Sequence, residues 1–390
     1  MINVLMLSLD TAMATHPQGD SRKRHLAYAA RAGKVTVIVY TPRGVGDSIQ
    51  ASDHLRVVPT NSRSKLLFPL DAARLALRQA QDARVDVITT QDPFLTGLIG
   101  WWLRRRLKAP LLVQNHSYFF DNPAWLRERP LMNRVLQRIG QFVVGQADMY
   151  RTVNRKERDA YVLRGGFPQR TIALPLATAS EAFAALPDEQ RLAQLRQRLD
   201  LKPADQVVLW VGFPVGFKRV PLLFKVFRRV ADQMPDAHLV LIGDMAKSPD
   251  DLRALARDEG VTGKVTMYGP VPHDELPLYY ALGAVYVHTS SYEGVPRVLF
   301  EASAAGLGIV AFNVVGVNEV IEDGVNGYMA PDLDVEGMAG RIVHLLRNPA
   351  LAQQMGAEAQ RRALERHNFD KYVEAWVGVM ERTVELGMRP

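Results

Sequence analysis

At 390 residues, 47% of them apolar, the chain is longer than one hydrophobic core usually serves, so two domains are expected, each with ample material for its own core. The absence of Cys excludes disulfides and thiolate metal sites and fits a reducing compartment. A net charge of +7 favours anionic partners such as nucleotide phosphates or a membrane surface; nucleic acid is disfavoured, because no stacked-aromatic motif, zinc spacing or helix-turn-helix pattern accompanies the charge.

The first ten residues, MINVLMLSLD, lack a basic leader and carry too short an apolar run for a signal peptide, and no uncharged run reaches the roughly 18 residues of a spanning helix. A cytoplasmic protein is expected. Residues 2–8 read as a parallel strand buried on both faces, nearly all apolar. A loop through Gly19 leads to a helix over 21–31 and a strand over 35–40, so a βαβ unit opens the chain. Ligands of such sheets lie at the carboxyl ends of the strands, which places residues 10–23 at the rim of a binding crevice. The loop has no G-x-G-x-x-G pattern, which counts against a dinucleotide-binding dehydrogenase. Arg22-Lys23-Arg24 reads equally well as a solvated helix start.

Strands are expected at 55–58, 85–90 and 110–114, with helices at 69–81 and 94–107 between them, an α/β alternation. Asn115-His116-Ser117-Tyr118 follows the last of these at a carboxyl end. The run Trp101-Trp102-Leu103-Arg104-Arg105-Arg106, with Arg127, Arg129, Arg134 and Arg138 beyond it, suits docking on anionic lipid; a helix with Trp packed inward and Arg solvated is the competing reading. Residues 149–153 and 171–174 close the first half. The Pro-punctuated 175–204 stretch reads as a connection with a leading helix.

A second βαβ run begins at 207–211. Gly212-Phe213-Pro214-Val215-Gly216-Phe217-Lys218 follows it, then a helix with apolar residues at 220, 223, 224 and 227, the spacing of one buried face. Strands follow at 239–243, 265–269, 285–288 and 309–313, and helices at 335–347, 351–367 and 369–386. After the 285–288 strand stands Ser290-Ser291-Tyr292-Glu293-Gly294-Val295-Pro296-Arg297-Val298-Leu299-Phe300-Glu301-Ala302. Pro296 suits the first helical position, and the amides of Arg297 and Val298 then face an anion at the positive end of the helix dipole. Glu293 in the loop and Glu301, about two helical turns on, frame that phosphate seat.

In the form E-G-V-P-R-V-L-F-E-A, with Ser before it, this segment resembles the Glu-x7-Glu motif of the large retaining family of nucleotide-sugar-dependent glycosyltransferases, glycosyl transferases group 1, which have the GT-B fold. The resemblance covers about 205–330 strongly and 85–120 moderately. It implies an α/β protein of two facing Rossmann-like domains with a cleft between them: 1–178 on the acceptor side, a linker and leading helix over 179–204, a nucleotide-sugar domain over 205–368, and a helix over 369–390 crossing back to the first domain. It also implies that Glu293, His116 and Lys218 are the catalytic set. Glu301 would bind ribose hydroxyls, Glu293 the sugar hydroxyls, and His116 the sugar from the opposite domain. Gly19, Gly212, Gly294, Arg297 and Val298 would complete the donor site, with base contacts through the backbone near 267–270. Tyr118, Phe119, Asp121 and Asn122 are candidates for the acceptor side. The family usually has Arg where this chain has Phe213 and Gly where it has Arg219, so half of the cationic clamp on the diphosphate is replaced; Arg219 or an Arg of the first domain would have to substitute.

The activity so implied is transfer of a hexosyl-type group from a nucleotide-diphosphate sugar to an acceptor, with retention of configuration. The acceptor would be a glycan or lipid-linked glycan of cell-surface polysaccharide, reached from the cytoplasm or peripherally at the inner face of a membrane. No metal or other cofactor is expected, because Lys218 and the helix amides supply the charge. The rivals are a nucleotide-sugar 2-epimerase, which would need acid/base carboxylates in the cleft, and a non-catalytic GT-B scaffold subunit, which Phe213 favours.

Overall fold

The structure, a computed structural model, describes residues 1–120, 122–176, 181–185, 188–248, 250–366 and 369–388. Asp121, the expected boundary at 178–179 and the one at 368 lie outside the described residues. The chain divides into two compact units, Met1–Pro175 with Asp370–Pro390, and Leu176–Phe369.

The first unit is built on eight strands: β1 (Ile2–Ser8), β2 (Gly33–Val39), β3 (Ile49–Gln50), β4 (Leu55–Pro59), β5 (Val87–Thr90), β6 (Leu111–Asn115), β7 (Met149–Thr152) and β8 (Thr171–Ala173), in the order β3-β4-β2-β1-β5-β6-β7-β8. All pairings are parallel except β3 with β4. The strands are short, apolar runs because helices cover the sheet. Val4 to Leu7, Val37 to Val39 and Leu111 to Val113 are buried to 2% exposure or less. The antiparallel β3 is invisible in the sequence: two residues carry no period. The helix Arg155–Leu163, also not expected from the sequence, starts at an Asn154 cap whose Oδ1 accepts from Glu157 N–H at 2.8 Å.

The final helix, Phe369–Gly387, packs on this first unit. Trp376 stacks on Tyr28 at 4.2 Å between ring centroids, and Tyr372 accepts from the buried Arg151 at 3.1 Å. Arg151 also donates to Gln114 Oε1 at 2.6 Å and to Leu174 O, so its burial is matched by partners.

The second unit holds β9 (Gln206–Val211), β10 (Ala237–Ile242), β11 (Val265–Tyr268), β12 (Val285–His288), β13 (Gly308–Phe312) and β14 (Tyr328–Ala330), all parallel, in the order β11-β10-β9-β12-β13-β14. The order reverses between β9 and β12, and the crevice beyond the carboxyl ends of those two strands is where such sheets bind ligands. The helix Val220–Gln233 buries Val220, Leu223, Phe224 and Phe227 against the sheet, the face its spacing predicts.

Candidate functional site

Two loops meet at that switch point. The one after β9 ends in the turn Gly216–Lys218, and the one after β12 runs from Thr289 to Pro296. They are laced together. Thr289 Oγ1 donates to Lys218 O at 2.8 Å, Ser291 N–H donates to Phe217 O at 2.8 Å, and the Phe217 and Tyr292 rings stack at 5.3 Å. A third loop supports them from β13. Glu293 N–H donates to Val315 O at 3.0 Å, and Gly316, at φ +90°, lies so close that a Cβ there would meet the carbonyls of Glu293 and Gly294 at 2.7 Å. The buried Gly294 is thereby fixed between Glu293 and the helix.

Lys218 Nζ and Glu293 Oε1 form an ion pair, and their side chains are 13% and 12% exposed. Ser290 Oγ donates to the same carboxylate oxygen at 2.9 Å, and His288 Nε2 stands 3.5 Å from it. Burial pushes the Glu293 carboxyl up, but the Lys218 ammonium and the His288 ring outweigh it and hold the group down at about 2. Burial, and then Lys218, drive the imidazole of His288 below its ordinary value as well, against the pull of the Glu293 carboxylate. At neutral pH Glu293 is therefore a carboxylate that accepts hydrogen bonds, with no proton to give.

The helix Arg297–Ala304 begins one residue later than expected: Pro296 is its N-cap at ψ 110°, not its first helical residue. The residue before a proline is kept out of the α region and the proline here keeps an extended ψ, so the turn closes only with Leu299 N–H donating to Pro296 O at 3.0 Å. The amides of Arg297 and Val298 still precede the first bond of the helix. Glu301, 3% exposed, lies further along it; Tyr280 donates to its Oε2 at 2.9 Å and His273 Nε2 lies 3.0 Å from its Oε1. Burial, then Glu301, lifts the Tyr280 hydroxyl well above its usual range. Neither Tyr280 nor His273 stands out in the sequence, because both are far from Glu301 along the chain.

Lys218, Arg297, Val298, Glu301, His273 and Gly212 all line one cavity of about 320 Å³. Its floor is the ends of β9 and β10. Gly212 N–H donates to Ile242 O and Gly243 N–H to Tyr268 O, each at 2.9 Å, and a Cβ on Gly243 would sit 1.8 Å from the Gly212 carbonyl oxygen. Phe213, at the rim, is 54% exposed, and Lys247 Nζ lies 4.0 Å over its ring. Arg219, one of the two expected substitutes for the replaced cation, is turned away: in a left-handed conformation at φ 52°, it pairs with Asp332. Among the described residues no group of three or more His, Asp or Glu stands together as a metal-ligand set.

In the first unit, His116 follows β6, and neither ring nitrogen has a hydrogen-bond partner among the described residues. Burial, then the charges of Arg151 and Arg24, keep the imidazole well below its ordinary value, hence neutral. Its loop is anchored by Asn115, whose Nδ2 donates to the buried Glu157 at 2.7 Å. Gly19 caps the helix Asp20–Ala32 in an extended conformation, and a Cβ there would meet His16 O at 3.1 Å. Arg22 is not a free phosphate ligand: 6% exposed, it donates through Nε to Met13 O at 2.9 Å and through Nη2 to Ala14 O at 3.1 Å. Asn122 is likewise committed, capping the helix Pro123–Glu128 through Ala124 N–H at 3.0 Å. Phe119 packs with Phe94 and Trp125, while Tyr118 has Lys156 Nζ 5.7 Å from its ring.

Two family models match: "Glycosyl transferase 4-like domain" over residues 21–177 and "Glycosyl transferases group 1" over 193–362. Among curated relatives, an alpha-D-kanosaminyltransferase of Streptomyces kanamyceticus is 30% identical over 261 residues, 66% of this chain and 66% of its own. A D-inositol 3-phosphate glycosyltransferase of Mycobacterium sp. (strain JLS) is 30% identical over 272 residues, 68% of this chain and 60% of its own. Matches to the first few curated relatives thus span half to two thirds of their length. Among solved structures, sucrose-phosphate synthase from Thermosynechococcus elongatus superposes with a TM-score of 0.79 at 22% identity, covering 96% of this chain and 97% of that one. Anabaena Alr3699/HepE, in complex with UDP, gives 0.78 at 18% identity, covering 97% and 100%.

Proposed function

The chain belongs to the group 1 glycosyltransferases and has their GT-B fold, and from that premise we propose that it moves a sugar from a nucleotide-diphosphate donor to an acceptor hydroxyl, with retention of configuration and without a metal. One observation carries this reading: the cavity at the β9/β12 switch point gathers Lys218, the first amides of the helix Arg297–Ala304 and the Glu301 carboxylate within the reach of a nucleoside diphosphate. Glu301, its oxygens already aligned by Tyr280 and His273, accepts the ribose hydroxyls. Lys218 and the helix amides stabilise the charge that grows on the departing diphosphate, which is the stabilisation such a reaction needs most. Glu293, ionised at neutral pH, orients the sugar by accepting from its hydroxyls, and its charge rules it out as the general acid of a hydrolase pair. His116, in the first unit, keeps the role of a ligand-contacting residue, supported by ring nitrogens that have no protein hydrogen-bond partner among the described residues.

HepE has been solved with UDP-glucose, and a relative from Mycolicibacterium smegmatis, 26% identical over 338 residues, is GDP-mannose-dependent. UDP- and GDP-sugars are therefore the first donors to examine. The proposed acceptor is a lipid-linked glycan of cell-surface polysaccharide met at an anionic membrane surface. Support comes from the helix Pro130–Gly145, which exposes Leu131, Met132, Val135 and Phe142 beside Arg134 and Arg138. Among the described residues no helix is long and apolar enough to cross a membrane.

The test is a panel of nucleotide sugars, screened for thermal stabilisation and then for release of nucleoside diphosphate in the presence of a chelator. Stabilisation by one donor, with release that survives chelation, is expected. No stabilisation by any donor would overturn the reading, and release that requires added magnesium or manganese would overturn its metal-free form.

A further inference from the structure

Lys218 and Arg297 line the donor cavity, and Arg219 and Lys247 stand beside its lining. Lys218 is held by the buried Glu293, and Arg219 is turned to Asp332. Lys218 does not exchange its partner readily, because breaking a buried pair leaves a charge without compensation. Lys247 is different. Its side chain is 53% exposed, with Nζ 3.6 Å from Asp244 Oδ2 and 4.0 Å over the Phe213 ring.

Those two partners occupy matching places on neighbouring strands. Val211 of β9 is in register with Ile242 of β10, so Gly212-Phe213 and Gly243-Asp244 leave the sheet side by side, and Phe213 and Asp244 both line the cavity. Asp244 brings a carboxylate to a site that is to receive a diphosphate, and like charges placed together oppose binding unless a cation stands between them. Lys247 is the cation in contact with both Asp244 and the rim. An exposed cation over a phenyl face and an exposed ion pair are both weak, so it can exchange either for a stronger charge-assisted bond to phosphate.

Resting on the nucleotide-sugar reading of this cavity, we infer that Lys247, carried on the Phe213 ring, is a further side-chain cation for the donor diphosphate beside Lys218. Phe213 serves as the platform that aims it and Asp244 as its resting partner. The charge that a residue at 213 does not provide is supplied from the β10 loop.

The experiment measures dissociation constants by calorimetry at low salt for UDP, GDP and the nucleosides uridine and guanosine. The chains compared are the wild type, Lys247→Met, Phe213→Leu, and Lys247→Met combined with Phe213→Arg. Loss of the ammonium is expected to weaken the diphosphate that the wild type binds by about tenfold while leaving its nucleoside unchanged, the scale of one charged hydrogen bond. Phe213→Leu should fall between, and the double variant should recover most of the loss because its guanidinium stands where the platform was. Equal diphosphate affinity for wild type and Lys247→Met, or equal weakening of diphosphate and nucleoside, overturns the inference and leaves the donor site standing. If the wild type binds neither UDP nor GDP, the reading of the cavity falls and the inference with it. Both residues are exposed, and unchanged thermal unfolding of the variants confirms that they are folded.

Discussion

Glu293 and Glu157 are both buried carboxyls, and their surroundings drive them in opposite directions. Glu293 has an ammonium at contact and is held at about 2, whereas Glu157, with Asn115 and backbone donors but no cation, is lifted by burial to about 8. Replacing Glu293 with Gln keeps the volume but removes the charge that holds Lys218 and receives sugar hydroxyls. Turnover is expected to drop at least about tenfold, the scale of one charged hydrogen bond lost in the transition state, with nucleotide affinity little changed. Unaltered turnover would remove Glu293 from the chemistry. For Glu157 the sign follows from its folded value lying above the ordinary 4.5: the fold favours the protonated form, so its contribution to stability is full below about 4.5 and is lost as pH rises through about 8. Urea midpoints for wild type and Glu157→Gln should therefore converge near pH 5 and separate by pH 9, with the variant the more stable there. Parallel pH profiles would show that Glu157 does not titrate in this range. Nothing in the sequence marks Glu157, because a Glu three residues after an Asn cap reads as an ordinary first-turn acid.

The elements of the site were legible where the pattern is local. The strands β9 and β12 stand within a residue or so of their expected bounds, and the helix Val220–Gln233 buries the expected face, because continuous apolar runs and a single apolar helix face have one reading each. The short β3 and β14 and the 3-10 turns were not legible, since two or three residues define no period. The contact between glycines was also hidden. Gly212 and Gly243 are 31 positions apart and meet only because β9 and β10 pair in register. Gly243→Ala would force a Cβ to within 1.8 Å of the Gly212 carbonyl oxygen, which only a backbone shift can relieve. A loss of at least ~2 kcal/mol in stability is expected, with weakened nucleotide binding, because the shift moves the cavity floor. An unchanged melting temperature would mean that β9 and β10 separate more freely than their pairing suggests.

For the whole molecule, the pattern of strands and helices along the chain separates two α/β halves, and the residues that tie the last helix to the first half, Tyr372 and Trp376, lie on one face at i and i+4. The basic-aromatic stretch divides into two parts with different contacts. Arg104 is bound through both Nε and Nη2 to Asp148 at 2.7 Å, and Arg105 and Arg106 lie over the rings of Trp101 and Trp102, so this helix is largely occupied with its own contacts. Arg134 and Arg138, beside the exposed Leu131 and Val135, are the better docking charges. Partition to anionic vesicles should fall as salt rises, since exposed charges are screened within about 8–10 Å near physiological ionic strength. Changing Arg134 and Arg138 to Glu should abolish it without altering donor binding. If the wild-type chain ignores anionic vesicles at low salt, those arginines are a solvated face and the proposal of a membrane-borne acceptor falls.

All of this depends on where the nucleotide sits. The most direct measurement is a crystal structure of the chain with UDP or GDP, whichever stabilises it. The expected density places the diphosphate against Lys218 and the amides of Arg297 and Val298, with the ribose hydroxyls within about 3 Å of the Glu301 carboxylate. A nucleotide bound elsewhere, or bound in this cavity with its ribose away from Glu301, would contradict the assignment of the donor site.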